Sequence, residues 1–206
     1  MSHSYQTLLQ PAEFCYEEKR SRFLAFIWPV STKEEGFALF QEIKSQYPDA
    51  RHHCWAYLLG NPEHALTAGF NDDGEPGGTA GKPMLNVLMQ RKVGNVFAVV
   101  VRYFGGVKLG AGGLTRAYGQ AISGALDAAE FTLVVPRQQL IIEVAFSLEQ
   151  KIRNFVQQQD IAVVEVRYSE TSAILTCDCP SRQIESIKPQ LLEQAAGKVN
   201  FLEEDD

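Results

Sequence analysis

The residues best suited to do chemistry lie in one stretch, Arg102-Tyr-Phe-Gly-Gly-Val-Lys-Leu-Gly-Ala-Gly-Gly-Leu-Thr-Arg116. An apolar run from Val96 to Val101 precedes it, and helical periodicity resumes through Tyr118, Ile122 and Leu126. That pattern predicts a buried strand, a flexible loop and a helix N-terminus. Glycines let backbone N–H groups face outward without a Cβ in the way, and a helix start concentrates unpaired donors and positive dipole. The chemistry this implies is capture of an anion. The candidate phosphate-binding residues are Arg102, Tyr103, Gly105, Gly106, Lys108, Gly110, Gly112, Gly113 and Arg116. Tyr103, Phe104 and Tyr118 are available to stack on a base, although Phe104 also suits a core position.

Charge segregation supports the same reading. The chain carries a formal net charge of −6, yet no acidic residue occurs between Glu75 and Asp127, where Lys82, Arg91, Lys92, Arg102, Lys108 and Arg116 all fall. One locally basic segment in an acidic chain points to a phosphate-bearing partner and against a large non-specific nucleic-acid surface. A buried strand flanked by solvated basic residues would give the same pattern. The stricter nucleotide motifs fail. Gly105 and Gly110 have phosphate-loop spacing, but Ala111-Gly112 stands where Lys-Ser/Thr should follow, and Thr115 replaces the third glycine of a dinucleotide fingerprint. Phosphate in some form remains, including a nucleic-acid backbone.

No catalytic residue, metal site or cofactor is assigned. Cys54 follows His52 and His53, but neighbours on a strand point to opposite faces, so adjacency makes no dyad and Cys54 reads as core. Cys177 and Cys179 share a strand face with Leu175 and lack zinc-site spacing, which again reads as core. Asp72, Asp73 and Glu75 sit in the loop Asn71-Asp-Asp-Gly-Glu-Pro-Gly-Gly-Thr-Ala-Gly-Lys-Pro83 without matching a calcium loop. Loop architecture is the preferred reading. An enzyme holding a metal on these carboxylates opposite the glycine loop, and acting on a small phosphorylated substrate, is the rival one.

The elements that must position these residues follow from length and pattern. The 206 residues, 45% hydrophobic and 21% charged, suit one large or two small globular domains. No leader pattern or membrane-length apolar run appears, and four scattered cysteines read as reduced thiols, so the expected location is cytoplasmic, with no membrane partner. Leu8–Glu18 and Arg22–Val30 read as an antiparallel pair. Ser31 and Thr32 stand three residues before Glu34 and Glu35, a capping-box start for a helix ending near Tyr47-Pro48. Arg51–Leu59 and Leu66–Phe70 read as a hairpin, and helices follow from Met84 to Gln90 and from about Gly112 to Ala129. Phe131–Arg137 reads as the linker, dividing the chain into domains 1–134 and 135–206. The second domain reads βαββαβ: strand 140–146, helix 148–158, strands 161–168 and 172–179, helix 181–195 and strand 198–202. Leu140, Ile142, Val144 and Phe146 alternate, as do Ala162, Val164, Val166 and Tyr168. Two helices would cover one face of its four-stranded antiparallel sheet, leaving the other for a protein partner or for the first domain.

Ser21-Arg-Phe-Leu-Ala25, Ala50-Arg-His-His-Cys-Trp-Ala-Tyr57, Asp72-Asp-Gly-Glu-Pro-Gly-Gly-Thr-Ala-Gly81 and the glycine stretch through Tyr118 together resemble the IMPACT family, closely its bacterial YigZ branch. The resemblance implies an α+β chain of two domains. The first is of the type found in the second domain of a small-subunit ribosomal protein, and the second is ferredoxin-like. The same pair of domain types is similar to two consecutive domains of the ribosomal translocase. Eukaryotic relatives act in translational control by competing for a scaffold that activates a starvation-responsive kinase, and carry an extra N-terminal partner-binding domain that the resemblance does not include. Together with the basic glycine loop, the resemblance leads to the expectation of a non-catalytic, translation-associated module that docks on structured RNA or the ribosome; a protein-interaction adaptor in translational control, using the free sheet face of the second domain, is a further reading.

Overall fold

The computed structural model describes residues 4–203. They divide into two compact units, Ser4–Val134 and the segment from Val135 onward.

The first unit is built on a five-stranded antiparallel sheet in the order β2-β3-β6-β4-β5, from β2 (Ala12–Glu18), β3 (Ser21–Pro29), β4 (His52–Leu59), β5 (Thr67–Asn71) and β6 (Val96–Tyr103). The central strand β6 is apolar on both faces because helices cover both, and Val96 to Val101 are fully buried. One face carries Phe23, Ile27, Cys54, Ala56, Ala98 and Val100 against α2 (Gly81–Gln90) and α3 (Gly110–Asp127). The other carries Phe26, Tyr57, Phe97, Val99 and Val101 against α1 (Lys33–Gln46). The start of α1 is the predicted box: Thr32 Oγ1 accepts from the Glu35 amide at 3.2 Å, while Glu35 accepts from the Ser31 amide at 2.8 Å.

Two local readings change. Leu8–Glu18 is not one strand, because Pro11 cannot donate to a ladder and the chain bends there into β1 (Tyr5–Leu8) and β2. Phe131–Val134, read as part of a linker, is strand β7, paired antiparallel with β1 from Tyr5↔Val134 to Leu8↔Phe131. Phe131 packs on the core beside buried Leu8, which gives this short ribbon a reason to form.

The second unit runs β8 (Arg137–Ala145), α4 (Phe146–Gln158), β9 (Ala162–Tyr168), β10 (Ser172–Pro180), α5 (Ile184–Gln194) and β11 (Val199–Leu202). Its antiparallel order β11-β8-β10-β9 is the ferredoxin-like arrangement. Ile152, Val156, Ile187 and Leu191 cover the face bearing Leu140, Ile142, Val144, Leu175, Cys177 and Cys179. Burial pushes the Cys177 thiol up to about 12, so both cysteines are inert core groups, as their spacing implied. The predicted alternation fails in β9. A bulge opposite Thr176/Cys177 shifts the register, so Val163 faces the core with Val166 while Val164 is exposed; Tyr168 keeps the face of Val166 but is exposed at the strand's end, its hydroxyl donating to Glu149. Phe146 starts α4 instead of ending β8 and is also exposed. The opposite sheet face is mixed rather than apolar, with Glu143, Glu165, Arg167 and Asp178 among Ile141, Ile174 and Leu202. Among the described residues no helix is long and apolar enough to cross a membrane.

Candidate functional site

The end of β6 delivers the glycine loop, and strand alternation decides which of its residues meet. Arg102 pairs in register with Phe23 and His52 and shares the face of α2 and α3. Tyr103 points to the opposite face, where its hydroxyl donates to Asp49 at 2.9 Å, so it leaves the group assigned from sequence. Arg102 is not a surface cation. It is 8% exposed and donates through Nη1 to Glu75 Oε1 at 2.6 Å, beneath the exposed ring of Phe104. Glu75 Oε1 also accepts from the Tyr118 hydroxyl at 2.8 Å. The Cys54 thiol lies 3.0 Å from the Asp72 carbonyl and 3.3 Å from the Tyr118 oxygen, two acceptors for its single proton. Tyr118 is fully buried, so it cannot stack on a base, and burial pushes both its phenol and the Cys54 thiol well up. Cys54 is no nucleophile at neutral pH.

The acidic loop and the glycine loop therefore converge, but on each other. Asp72 accepts from the amides of Gly78, Ala80 and Gly81 at 2.7 to 3.0 Å and so caps the start of α2. Asp73 accepts from the His53 amide at 2.6 Å, and Glu75 is held by Arg102 and Tyr118. Among the described residues no three His, Cys, Asp or Glu side chains are grouped to hold a metal ion. The carboxylates proposed for a metal serve backbone amides and a buried arginine.

The helix α3 differs sharply from α2 at its start. Among the described residues no side chain caps its N-terminus, and its first turn, like that of α2, contains no acidic residue. Gly110 opens it at φ +71°, a conformation that favours glycine. This uncapped end faces a cavity of about 360 Å³ lined by Arg51, His52, Glu75, Pro76, Arg102, Phe104, Lys108, Leu109, Gly110, Ala111 and Leu114. His52 Nδ1 lies 2.8 Å from the Asp73 carbonyl, which only accepts, so this nitrogen carries the hydrogen and the ring is oriented. Gly113 and Arg116 line a neighbouring hollow of about 210 Å³ with Glu18, Lys19 and Gln120. Gly105 lies outside both hollows; it packs on the backbone of Arg20 and donates to Ser21 Oγ at 3.1 Å. Gly106 meets open space, and a Cβ at Gly112 would meet only Arg116 Nη1, at 3.7 Å.

Of the six cations in the acid-free segment, Arg91 pairs with Asp127, Lys92 with Glu63 and Arg102 with Glu75. Among the described residues Lys82, Lys108 and Arg116 have no ion-pair partner. Three basic residues at the site had no signal in the glycine motif. Arg51 arrives through the β4–β6 pairing. Lys19 and Arg20 form the two-residue tip of the β2–β3 hairpin, both at positive φ, 47° and 65°. Left-handed backbone at two non-glycine residues costs about 1–2 kcal/mol each, and such strain clusters at functional sites.

His53, on the far side of the sheet from Cys54, is 4% exposed, with Nε2 3.0 Å from the Tyr47 carbonyl. Burial holds its imidazole below the ordinary value, outweighing the Tyr47 carbonyl and the Asp73 carboxylate, which raise it. The unfolded chain therefore takes up this proton first as pH falls. The contribution of His53 to stability is complete above the unfolded value of about 6.5 and is lost below it, until the lower folded value is reached. Denaturant unfolding at pH 7.5 and pH 5.5 should show this loss, and His53→Gln should shrink it; equal steps in both proteins would refute the assignment.

Comparison with known proteins places this geometry. A family model described as the Impact N-terminal domain matches residues 19–126, and one described as a domain of unknown function (DUF1949) matches residues 142–198. An "IMPACT family member" of Haemophilus influenzae is 36% identical over 183 residues, 89% of this chain and 88% of that protein. The "IMPACT family member YigZ" of Escherichia coli is 34% identical over 93% of this chain and 94% of its own. A crystal structure of a hypothetical protein, 31% identical, covers all of both chains with a TM-score of 0.72.

Proposed function

The chain belongs to the IMPACT family, and from that premise we propose that it is a non-catalytic, translation-associated module whose first unit docks on structured RNA. The observation that carries this reading is the uncapped, acid-free N-terminus of the 18-residue helix α3, set among Arg51, Lys108, Lys19 and Arg116. A helix of this length presents unpaired amides and about half a positive charge at that end. The chain answers the same need at α2 with the Asp72 carboxylate and supplies nothing at α3. An RNA phosphate suits this helix end, and the strained Lys19-Arg20 tip stands beside the loop through the contact of Gly105 with Arg20. Arg102 acts as a support here: it fixes the loop's exit from the sheet and its charge is already matched by Glu75.

The test is binding to ribosomal subunits and structured RNA across a salt series, beside the exposed triple variant Lys19→Ala/Lys108→Ala/Arg116→Ala. Saturable binding should weaken with salt, with about −0.7 to −0.9 in log–log slope per phosphate contact, and the triple variant should flatten that slope by about 2–3. No saturable binding at low salt, or a variant indistinguishable from the parent, would overturn the reading.

A further inference from the structure

The cavity at the start of α3 is more restrictive than a surface patch. Its volume of about 360 Å³ is near the lower end of the range of about 300–1,000 Å³ for small-molecule sites, room for one nucleotide-sized group and not for a length of duplex. Its lining joins two chemistries. The α3 amides at Gly110 and Ala111, with Arg51 and Lys108, form a cationic part, and Phe104, 55% exposed, offers an open aromatic face. Arg51 and Lys108 make no hydrogen bond or ion pair with the described residues.

A second observation points into the same space. Arg102 is nine-tenths buried and lines the cavity, yet Nη1 to Glu75 is its single hydrogen bond. Its Nε is buried without any partner, and Nη2 has none either. Nε is sealed off from the cavity, so the guanidinium donor that remains to meet an acceptor there is Nη2, which is not among the buried atoms. Charge selects the kind of acceptor. The one carboxylate in the lining, Glu75, has its Oε1 taken by Arg102 and Tyr118, leaving Arg51, Lys108 and the helix dipole uncompensated. Such a site favours a phosphomonoester, at about −1.5 to −2, over the single charge of a diester.

Resting on the RNA-docking reading, we propose that this cavity binds one nucleotide bearing a terminal monophosphate, the phosphate on the α3 amides between Arg51 and Lys108 and the base against Phe104. The source is either a free mononucleotide or a phosphorylated RNA end, and aromatic stacking makes the site tolerant of base identity.

The experiment uses the full chain with AMP, adenosine and one short RNA carrying a 5′-phosphate, a 3′-phosphate or hydroxyl ends. AMP should bind, adenosine should bind at least tenfold more weakly, and AMP should compete with one of the phosphorylated ends, which identifies the end. Lys108→Ala and Phe104→Ala, both exposed and expected to keep the parent thermal unfolding, should each weaken AMP by tenfold or more. Lys19→Ala/Arg116→Ala, which alters the neighbouring hollow, should weaken the RNA and leave AMP unchanged. Failure of AMP to bind, or AMP binding unaffected by Lys108→Ala and Phe104→Ala, overturns the proposal. Hydroxyl-ended RNA binding as tightly as phosphorylated RNA while AMP does not bind overturns it and leaves RNA docking standing. AMP binding with no RNA binding supports the cavity and overturns the docking reading instead.

Discussion

Replacing Glu75 with Ala should destabilise the first unit by about 3–5 kcal/mol, read by denaturant unfolding. The reason is the company the carboxylate keeps. Arg102 and Glu75 side chains are 8% and 3% exposed, and the pair sits with the fully buried Tyr118 hydroxyl and Cys54 thiol. Removal strands a guanidinium away from water and leaves Tyr118 without its acceptor, penalties far above that of an exposed ion pair, about 0–1 kcal/mol. The double variant Glu75→Leu/Arg102→Met removes both charges and should recover most of the loss. A single variant that unfolds like the parent would show that the pair carries no structural weight. A double variant no better than Glu75→Ala would show that the arginine was never left uncompensated.

The second large effect belongs to Gly105. A Cβ there would lie 2.0 Å from the Arg20 carbonyl carbon and 2.3 Å from both the Arg20 oxygen and the Ser21 nitrogen. These are backbone atoms of a tight hairpin, so nothing flexible can yield, and the glycine loop must part from the β2–β3 tip. Gly105→Ala should cost about 1–3 kcal/mol, the usual range for overpacking, and should also weaken RNA binding by separating Lys19 and Arg20 from the start of α3. Gly112 is the internal control: its Cβ would meet only Arg116 Nη1, at 3.7 Å. Gly112→Ala should be neutral or stabilise by up to about 1 kcal/mol through helix propensity. Equal stability of the two variants would refute the close-approach account of Gly105.

The sequence was informative where a signal is local. The apolar run Val96–Val101 followed by glycines placed β6, the loop and α3, and the Thr32–Glu35 spacing placed the start of α1. Alternation in β8 gave the second unit its core face. The site was legible in its loop and illegible in its partners. Arg102 and Lys108 look alike in the motif, and only the fold makes one a buried support and the other a free cation, because Glu75 reaches Arg102 across 27 residues. Tyr103 was separable in principle: carrying the strand two residues past Val101 sends it to the opposite face from Arg102. Val164 was not, because a bulge leaves no mark in apolar periodicity. Lys19 and Arg20 were hidden by type, since lysine and arginine are unusual in a turn that needs positive φ at both positions.

The ribbon of β1 and β7 sets an order of events during synthesis. Tyr5 to Leu8 open the first unit and are made long before their partners Phe131 to Val134, the last residues of that unit. At about 5–20 residues per second the opening strand waits roughly 6–25 s for its mate. Leu8, 2% exposed in the finished unit, lacks the cover of Phe131 through that interval. Closing so wide a loop is a late step in a fold already rich in distant pairings. The nascent first unit thus stays incomplete until residue 134 has emerged, and a chain arrested short of that point would hold an unlatched core within reach of chaperones and proteases.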